Sequence, residues 1–293
     1  MKIIENKFLI GNAARLFGFD LYLPDAFKHS ESFPILIFAH GFKGFKDWGH
    51  WQKLAMGFAA EGFAFLKFNF SHNGTCPESL TEFSDLEAFG NNNFTIELAD
   101  LKTVIDWVCD HAAEYRLEKS EICLVGHSRG GPIALLTAAK DERIAALITW
   151  ASVHELDYAW QDAEQLKNWK GNGVQYSANA RTGQQMPLNY QLYEDFAAHA
   201  AEYSVKNSLS GFKKPMLIVH GTADPAVKLS SAEYLKRYAP HAEYLLIEGA
   251  DHVFGGRQPF PETEELPLHS KILLNSCLDF LRAQAPASDL TTF

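Results

Sequence analysis

Cysteine is scarce in this 293-residue chain: Cys76, Cys109, Cys123 and Cys277 are the only four, and none forms a C-x-x-C pair. That usage argues against a disulfide framework, and the placement of two of them inside apolar runs predicts buried, reduced thiols. Basic residues are outnumbered, 26 Lys and Arg against 36 Asp and Glu, for a formal net charge of −10. Such a chain carries no electrostatic footprint for a phosphate backbone or an anionic lipid surface, so neither nucleic acid nor membrane is an expected partner. No uncharged apolar run reaches about eighteen residues, and Glu5 and Lys7 interrupt the start of the chain, so neither a spanning helix nor an export signal is expected and the protein is read as cytoplasmic. H-E-x-x-H, G-x-G-x-x-G and Walker sequences are absent, as is any clustered Cys/His spacing. Neither a metal nor a nucleotide cofactor is therefore expected.

What the chain does have is apolar content, 47% of residues including 22 Phe, enough for one large core. Lys2 to Ile10 and Arg15 to Leu23 read as an opening hairpin. Short continuous apolar runs follow at 34–39, 62–70, 121–125, 143–151, 214–220 and 242–247, mostly separated by helical patterns at 48–60, 95–115, 132–139 and 268–282. Runs of this kind suit strands buried on both faces, and their alternation with helices predicts an α/β fold with a mostly parallel, doubly wound sheet. About sixty residues between Ala151 and Pro215 break the alternation. The predicted organisation is a catalytic body of residues 1–152 and 209–293 carrying an inserted cap at 153–208, in which Val174 to Ala180 and Gln185 to Tyr190 form a hairpin flanked by helices. A polar stretch from Ser71 to Asn93, with three consecutive asparagines, is expected to be irregular, and Ala285 to Phe293 a frayed tail.

Gly126-His127-Ser128-Arg129-Gly130 lies between the apolar run 121–125 and the helical pattern 132–139. A strand-to-helix corner of this composition presents a serine hydroxyl at the top of a parallel sheet, with glycines where a Cβ would crowd the neighbouring backbone. A hydroxyl becomes nucleophilic only beside a base that is itself oriented, so the chain should supply an acid and a histidine on later strand ends. Asp224 follows the run 214–220 and His252 follows the run 242–247, in that order. Asp251 is the rival acid, disfavoured because a residue adjacent to the base rarely reaches its Nδ1. Two amides are needed for an oxyanion, and those of Phe42, after the run 34–39, and Arg129, at the start of the elbow helix, are the candidates. His40 reads as a loop organiser rather than a proton carrier, and His127 as a structural residue packed beneath the nucleophile. In the insert, Trp160, Tyr176 and Tyr190, with Trp169, Tyr193 and Phe196, could roof an apolar acyl pocket or pack the insert onto the sheet. Arg181 reads as a solvated hairpin-tip residue.

These motifs, together with Phe68 to Gly74, Gly221-Thr222-Ala223-Asp224-Pro225 and Gly249-Ala250-Asp251-His252, resemble the α/β-hydrolase-fold serine esterases, in particular bacterial cinnamoyl or feruloyl esterase-type enzymes and, further off, dienelactone hydrolases. The resemblance covers most of the catalytic portion. It implies a Ser128, Asp224, His252 triad and an oxyanion hole from Phe42 and Arg129. No cofactor is expected, and the expected partner is a small-molecule ester, bound by a monomer or homodimer. The chain departs from that pattern with Arg129 where glutamine is common and with Ser71-His72-Asn73 where Gly-His-Gly is common. The same machinery serves peptidases and thioesterases, and a non-catalytic ligand-binding protein can keep the fold.

Overall fold

The computed structural model describes residues 1–25, 32–157, 160 and 162–284. The predicted tail at 285–293 lies outside the described residues. Eight strands form one sheet: β1 (Lys2–Ile10), β2 (Leu16–Leu23), β3 (Phe33–Ala39), β4 (Ala64–Phe68), β5 (Leu117–His127), β6 (Ile144–Trp150), β9 (Met216–Gly221) and β10 (Glu243–Ile247). A separate hairpin pairs β7 (Val174–Ala178) with β8 (Gln185–Asn189). The order across the large sheet is β1-β2-β4-β3-β5-β6-β9-β10. β1 and β2 pair antiparallel with their neighbours, and every pairing from β4 to β10 is parallel. This is the α/β-hydrolase architecture.

Period-two alternation divides the core between the two faces of the sheet. In β3, Ile35, Ile37 and Ala39 point into one cluster while Leu36 and Phe38 point into the other, which is why the run reads as continuously apolar. The helices Phe94–Asp110, Gly130–Lys140, Val205–Gly211 and Leu229–Tyr238 cover the first face, and Trp51–Ala60 and Leu268–Gln284 cover the second.

Three expectations change on contact with the structure. The predicted helix 95–115 is two: Phe94–Asp110 and Ala112–Tyr115, parted at His111, whose Nδ1 lies 2.9 Å from the carbonyl oxygen of Trp107. Arg116, in the left-handed region at φ 58°, then closes the second piece. The Ser71–Asn93 stretch is not merely a polar loop: Ser71, His72, Asn73 and Thr75 are buried, and Phe83 and Phe89 pack with Phe45 and Met186 as a third cluster. Of the cysteines only Cys123 and Cys277 are buried; Cys76 and Cys109 are half-buried, although all four are free. Cys76 sits in the loop beside Ser84 and Cys109 on the helix edge facing Arg143, where neither apolar face closes over them.

Between β6 and β9 the chain forms the helix Ala163–Asn172, the β7/β8 hairpin, and the helix Gln191–Ala198 before Val205–Gly211. This insertion is fastened at several points. Lys43 Nζ donates to Ala178 O at 2.8 Å, Gln184 Nε2 to Phe83 O at 3.1 Å, and Asn189 Nδ2 to Asn91 Oδ1 at 2.8 Å. Asp195 accepts from the amides of Phe94 and Thr95 at 3.1 and 3.2 Å, an acidic cap on the helix start.

Candidate active site

All three candidate side chains stand on loops leaving the carboxyl ends of strands, the edge where open parallel sheets bind ligands. Ser128 follows β5 and precedes Gly130–Lys140, with its backbone at φ 54°. A serine in the left-handed region is strained, and the fold pins it through a hydrogen bond donated by its amide N–H to Trp150 O at 2.9 Å. The glycines explain how the corner closes: a Cβ on Gly126 would lie 2.3 Å from Gly130 O, and one on Gly130 would lie 2.2 Å from Ala39 O. No larger residue fits at either place.

Asp224 follows β9, and its side chain is 0% exposed. Oδ1 accepts from the amides of Ala226 and Val227 at 2.8 and 2.9 Å, and Oδ2 meets His252 Nδ1 at 2.8 Å. Burial pushes this carboxyl up, but the bonds from His252, Val227 and Ala226 outweigh it and hold the group below the ordinary carboxylate value. Asp251 is otherwise engaged: its Oδ1 caps its own loop through the amides of Val253 and Gly255 at 3.1 and 2.8 Å. With Nδ1 committed to Asp224, the imidazole of His252 carries its lone pair on Nε2.

The residue before Ser128 contacts His252. The His127 ring lies 4.7 Å from the His252 ring, and its Nε2 donates to His252 O at 2.9 Å. No hydrogen bond joins Ser128 Oγ to His252 among the described residues; such contacts tighten when substrate arrives. On the other side of the serine, a Cβ on Gly41 would stand 2.7 Å from Ser128 Cβ, so the loop after β3 touches the elbow directly. Neither the Phe42 amide in that loop nor the Arg129 amide donates a hydrogen bond within the chain, among the described residues. Amides without an acceptor within the chain are the kind of donor an oxyanion requires.

His40 and His127 are held neutral. Burial lowers His40 to about 4; its Nδ1 lies 2.9 Å from Gly41 O, and Nε2 faces the Phe70 amide at 3.3 Å. Burial, with His252 close by, lowers His127 to about 3. His220 was not legible as part of the site. It is buried under Asp224, 3.5 Å from Oδ2, and holds the acid's loop through Val227 O at 2.9 Å. Glu97 was also missed: its Oε1 pairs with Arg129 Nη2 at 2.5 Å.

The insertion's aromatic side chains divide. Trp160 packs against Phe94, Trp169 and Phe196, and Tyr190 against Trp169 and Tyr193, so both are engaged in fixing the insertion. Tyr176 is 62% exposed and lines an open groove with Asp162, Gln165 and Asn168, whose lining does not include Ser128, Asp224 or His252. Arg181 is not simply solvated: its guanidinium lies 5.9 Å from the Phe45 ring and 3.9 Å from Glu82. Among the described residues no group of three or more His, Cys, Asp or Glu could hold a metal ion, and no helix is long and apolar enough to cross a membrane.

A model of the BD-FAE family matches residues 19–238. The chain belongs to the BD-FAE family of esterases. Among curated proteins, this esterase is similar to a Mycoplasma pneumoniae protein named as an esterase/lipase, at 27% identity with 78% of this chain and 85% of the relative covered. Among solved structures, it is similar to Est1E from Butyrivibrio proteoclasticus, with a TM-score of 0.68, 19% identity, and 96% and 99% of the two chains covered. Another Est1E structure holds ferulic acid. The esterase Est2 from Thermogutta terrifontis, with propionate bound, superposes at a TM-score of 0.66 and 18% identity over 95% of this chain and 94% of that one. At such identities the two structures speak for a shared fold.

Proposed function

We propose that this BD-FAE esterase cleaves small carboxylic esters through an acyl-enzyme on Ser128, in the cytoplasm and without a cofactor. Ser128 Oγ attacks the ester carbonyl while His252 Nε2 takes its proton, and the carbonyl π pair moves onto oxygen to give a tetrahedral oxyanion. The Phe42 and Arg129 amides receive that charge, and Asp224 stabilises the imidazolium by accepting from Nδ1. As the intermediate collapses, the C–O bond to the leaving alcohol breaks and His252 returns the proton to it. Water, deprotonated by the same histidine, then attacks the acyl carbon; the bond from that carbon to Ser128 Oγ breaks, His252 returns the proton to Oγ, and the acid is freed. The observation that carries this reading is the 2.8 Å bond from His252 to Asp224, whose side chain is fully buried, together with a serine held in the left-handed region at the strand-to-helix corner.

Residues 153–208 serve in this proposal as a cap on the body formed by 1–152 and 209–293. The bonds from the insertion to Lys43, Phe83 and Asn91 support that role. The ferulic acid in Est1E and the propionate in Est2 suggest the acids to try first, an aromatic propenoyl group and a short alkanoyl group. Ser128→Ala should lower turnover of short-chain p-nitrophenyl esters by about three orders of magnitude or more. Retention of a tenth of the wild-type rate would overturn the mechanism. A panel of feruloyl esters, short alkyl esters, acyl-CoA and aminoacyl amides then fixes the leaving group.

A further inference from the structure

A buried carboxylate and guanidinium stand behind the two amides assigned to the oxyanion hole, and the hydrolytic steps use neither charge. Glu97 lies on the inward face of Phe94–Asp110 and is 2% exposed. Its Oε1 accepts from Arg129 Nη2 at 2.5 Å and from Asn92 Nδ2 at 2.7 Å. The Arg129 guanidinium carbon in turn sits 4.6 Å from the centroid of the Phe42 ring, which rests on Phe89 at 5.6 Å. The side chains of Phe42 and Arg129 are thus stacked on one another, and the stack is anchored from behind.

The Phe42 side chain is where this pair meets the loop after β3. Its neighbour Lys43 is in the left-handed region at φ 56°; the turn closes through Gly44 N to Gly41 O at 3.0 Å, and His40, Lys43 and Asn73 tie the loop at Gly41, Lys43 and Gly44 but not at Phe42 itself. An oxyanion donor acts at full strength only when held within about 0.5 Å of its productive position. A buried ion pair is weak evidence for stability, since a well-packed apolar pair does as well. A guanidinium plane, by contrast, imposes direction, donating along its edge while its face lies over an aromatic ring; here the edge contact is the one bond from Nη2 to Glu97 Oε1. The asparagine run supplies the rest of the frame. Asn92 binds Glu97, while Asn93 Oδ1 caps the helix at the Ile96 amide, 2.9 Å away, and Asn93 Nδ2 binds Gln191 of the insertion at 2.8 Å.

We propose that Glu97, acting through Arg129, is a positioning residue that holds the Phe42 amide against the elbow; this rests on the oxyanion-hole reading above. The test compares wild type, Ser128→Ala, Glu97→Gln, Arg129→Gln, Arg129→Lys and the Glu97→Gln/Arg129→Gln double variant on a short-chain p-nitrophenyl ester. Inhibition by an alkyl trifluoromethyl ketone is measured alongside, because addition of Ser128 Oγ to its carbonyl creates an oxyanion in the same hole. Glu97→Gln should lower kcat about 10-fold, a fraction of the loss on deleting a donor outright, with KM changed less than about twofold. Ketone affinity should fall by the same factor. The double variant should lose no more than Arg129→Gln alone, because Glu97 works only through the arginine. Arg129→Lys, which keeps a charge for Glu97 but lacks the plane, should behave like Arg129→Gln, and the arginine variants carry the test if Glu97→Gln does not fold. Wild-type kcat and ketone affinity in folded Glu97→Gln or Arg129→Gln would overturn the proposal, as would a rise in KM alone, which marks a substrate contact instead. Retention of a tenth or more of wild-type turnover by Ser128→Ala would overturn the underlying reading, and that result is read on a different variant.

Discussion

Asp224 spends one carboxylate oxygen on the backbone and the other on His252, and this division makes its amide analogue informative. In Asp224→Asn, two amide donors, from Ala226 and Val227, face the Oδ1 position, so the amide oxygen must stay there. The NH2 group is then left facing His252 Nδ1, where only an acceptor was tolerated. The imidazole must present a lone pair on that side and its proton on Nε2, toward the serine, which is the wrong tautomer for a base. Asp224→Asn should therefore lower kcat by about four orders of magnitude near neutral pH with little change in KM, measured in steady state. A loss under tenfold would remove Asp224 from the mechanism.

At the scale of elements, the sheet's antiparallel side is held by charges rather than by apolar contact alone. Asp20 in β2 lies directly opposite Lys67 in β4, and its Oδ2 also accepts from Lys46 of the loop after β3, each at 2.6 Å. Asp47 completes the square with both lysines. Burial raises the Asp20 carboxyl, but Lys67 and Lys46 outweigh it and hold it below its ordinary value. Asp20→Asn would leave two buried ammonium groups sharing one half-exposed carboxylate and should lower unfolding free energy by about 3–5 kcal/mol, read from urea unfolding. This network also marks where sequence reading stops. The parallel strands and the Ser128 elbow were legible because buried runs and a glycine-bounded serine are local patterns, and Asp224 and His252 because each follows a run of that kind. Asp20, Lys67 and Glu97 were not, since a charge can be buried only beside a partner from a distant segment, and no local pattern names that partner. Glu97 and Asp100, three apart on an otherwise apolar helix face, were the one available hint.

Across the whole molecule, buried histidines set the response to acid. His40, His50 and His72 are lowered to about 4 and His127 to about 3, in each case chiefly by burial. An unfolded histidine takes up its proton near 6.5, so below that pH the unfolded chain binds protons that the folded chain refuses. Stability contributed by these groups is complete above pH 6.5 and is lost as pH falls toward 4, by about 1.4 kcal/mol per pH unit for each. Asp100 works the other way. Burial raises it to about 7, with Glu97 adding to the shift, so the fold holds its proton between pH 7 and the ordinary 3.8 and gains stability over that interval as pH falls. Four groups against one leave a net loss on acidification. The urea midpoint should accordingly fall steadily from pH 6.5 to 4.5, and calorimetry in buffers of different ionisation enthalpy should show proton uptake on unfolding across that interval. A flat midpoint there would mean that the imidazoles are not held neutral, and with them would go the account of His40 and His127 as fixed supports of the loop and elbow.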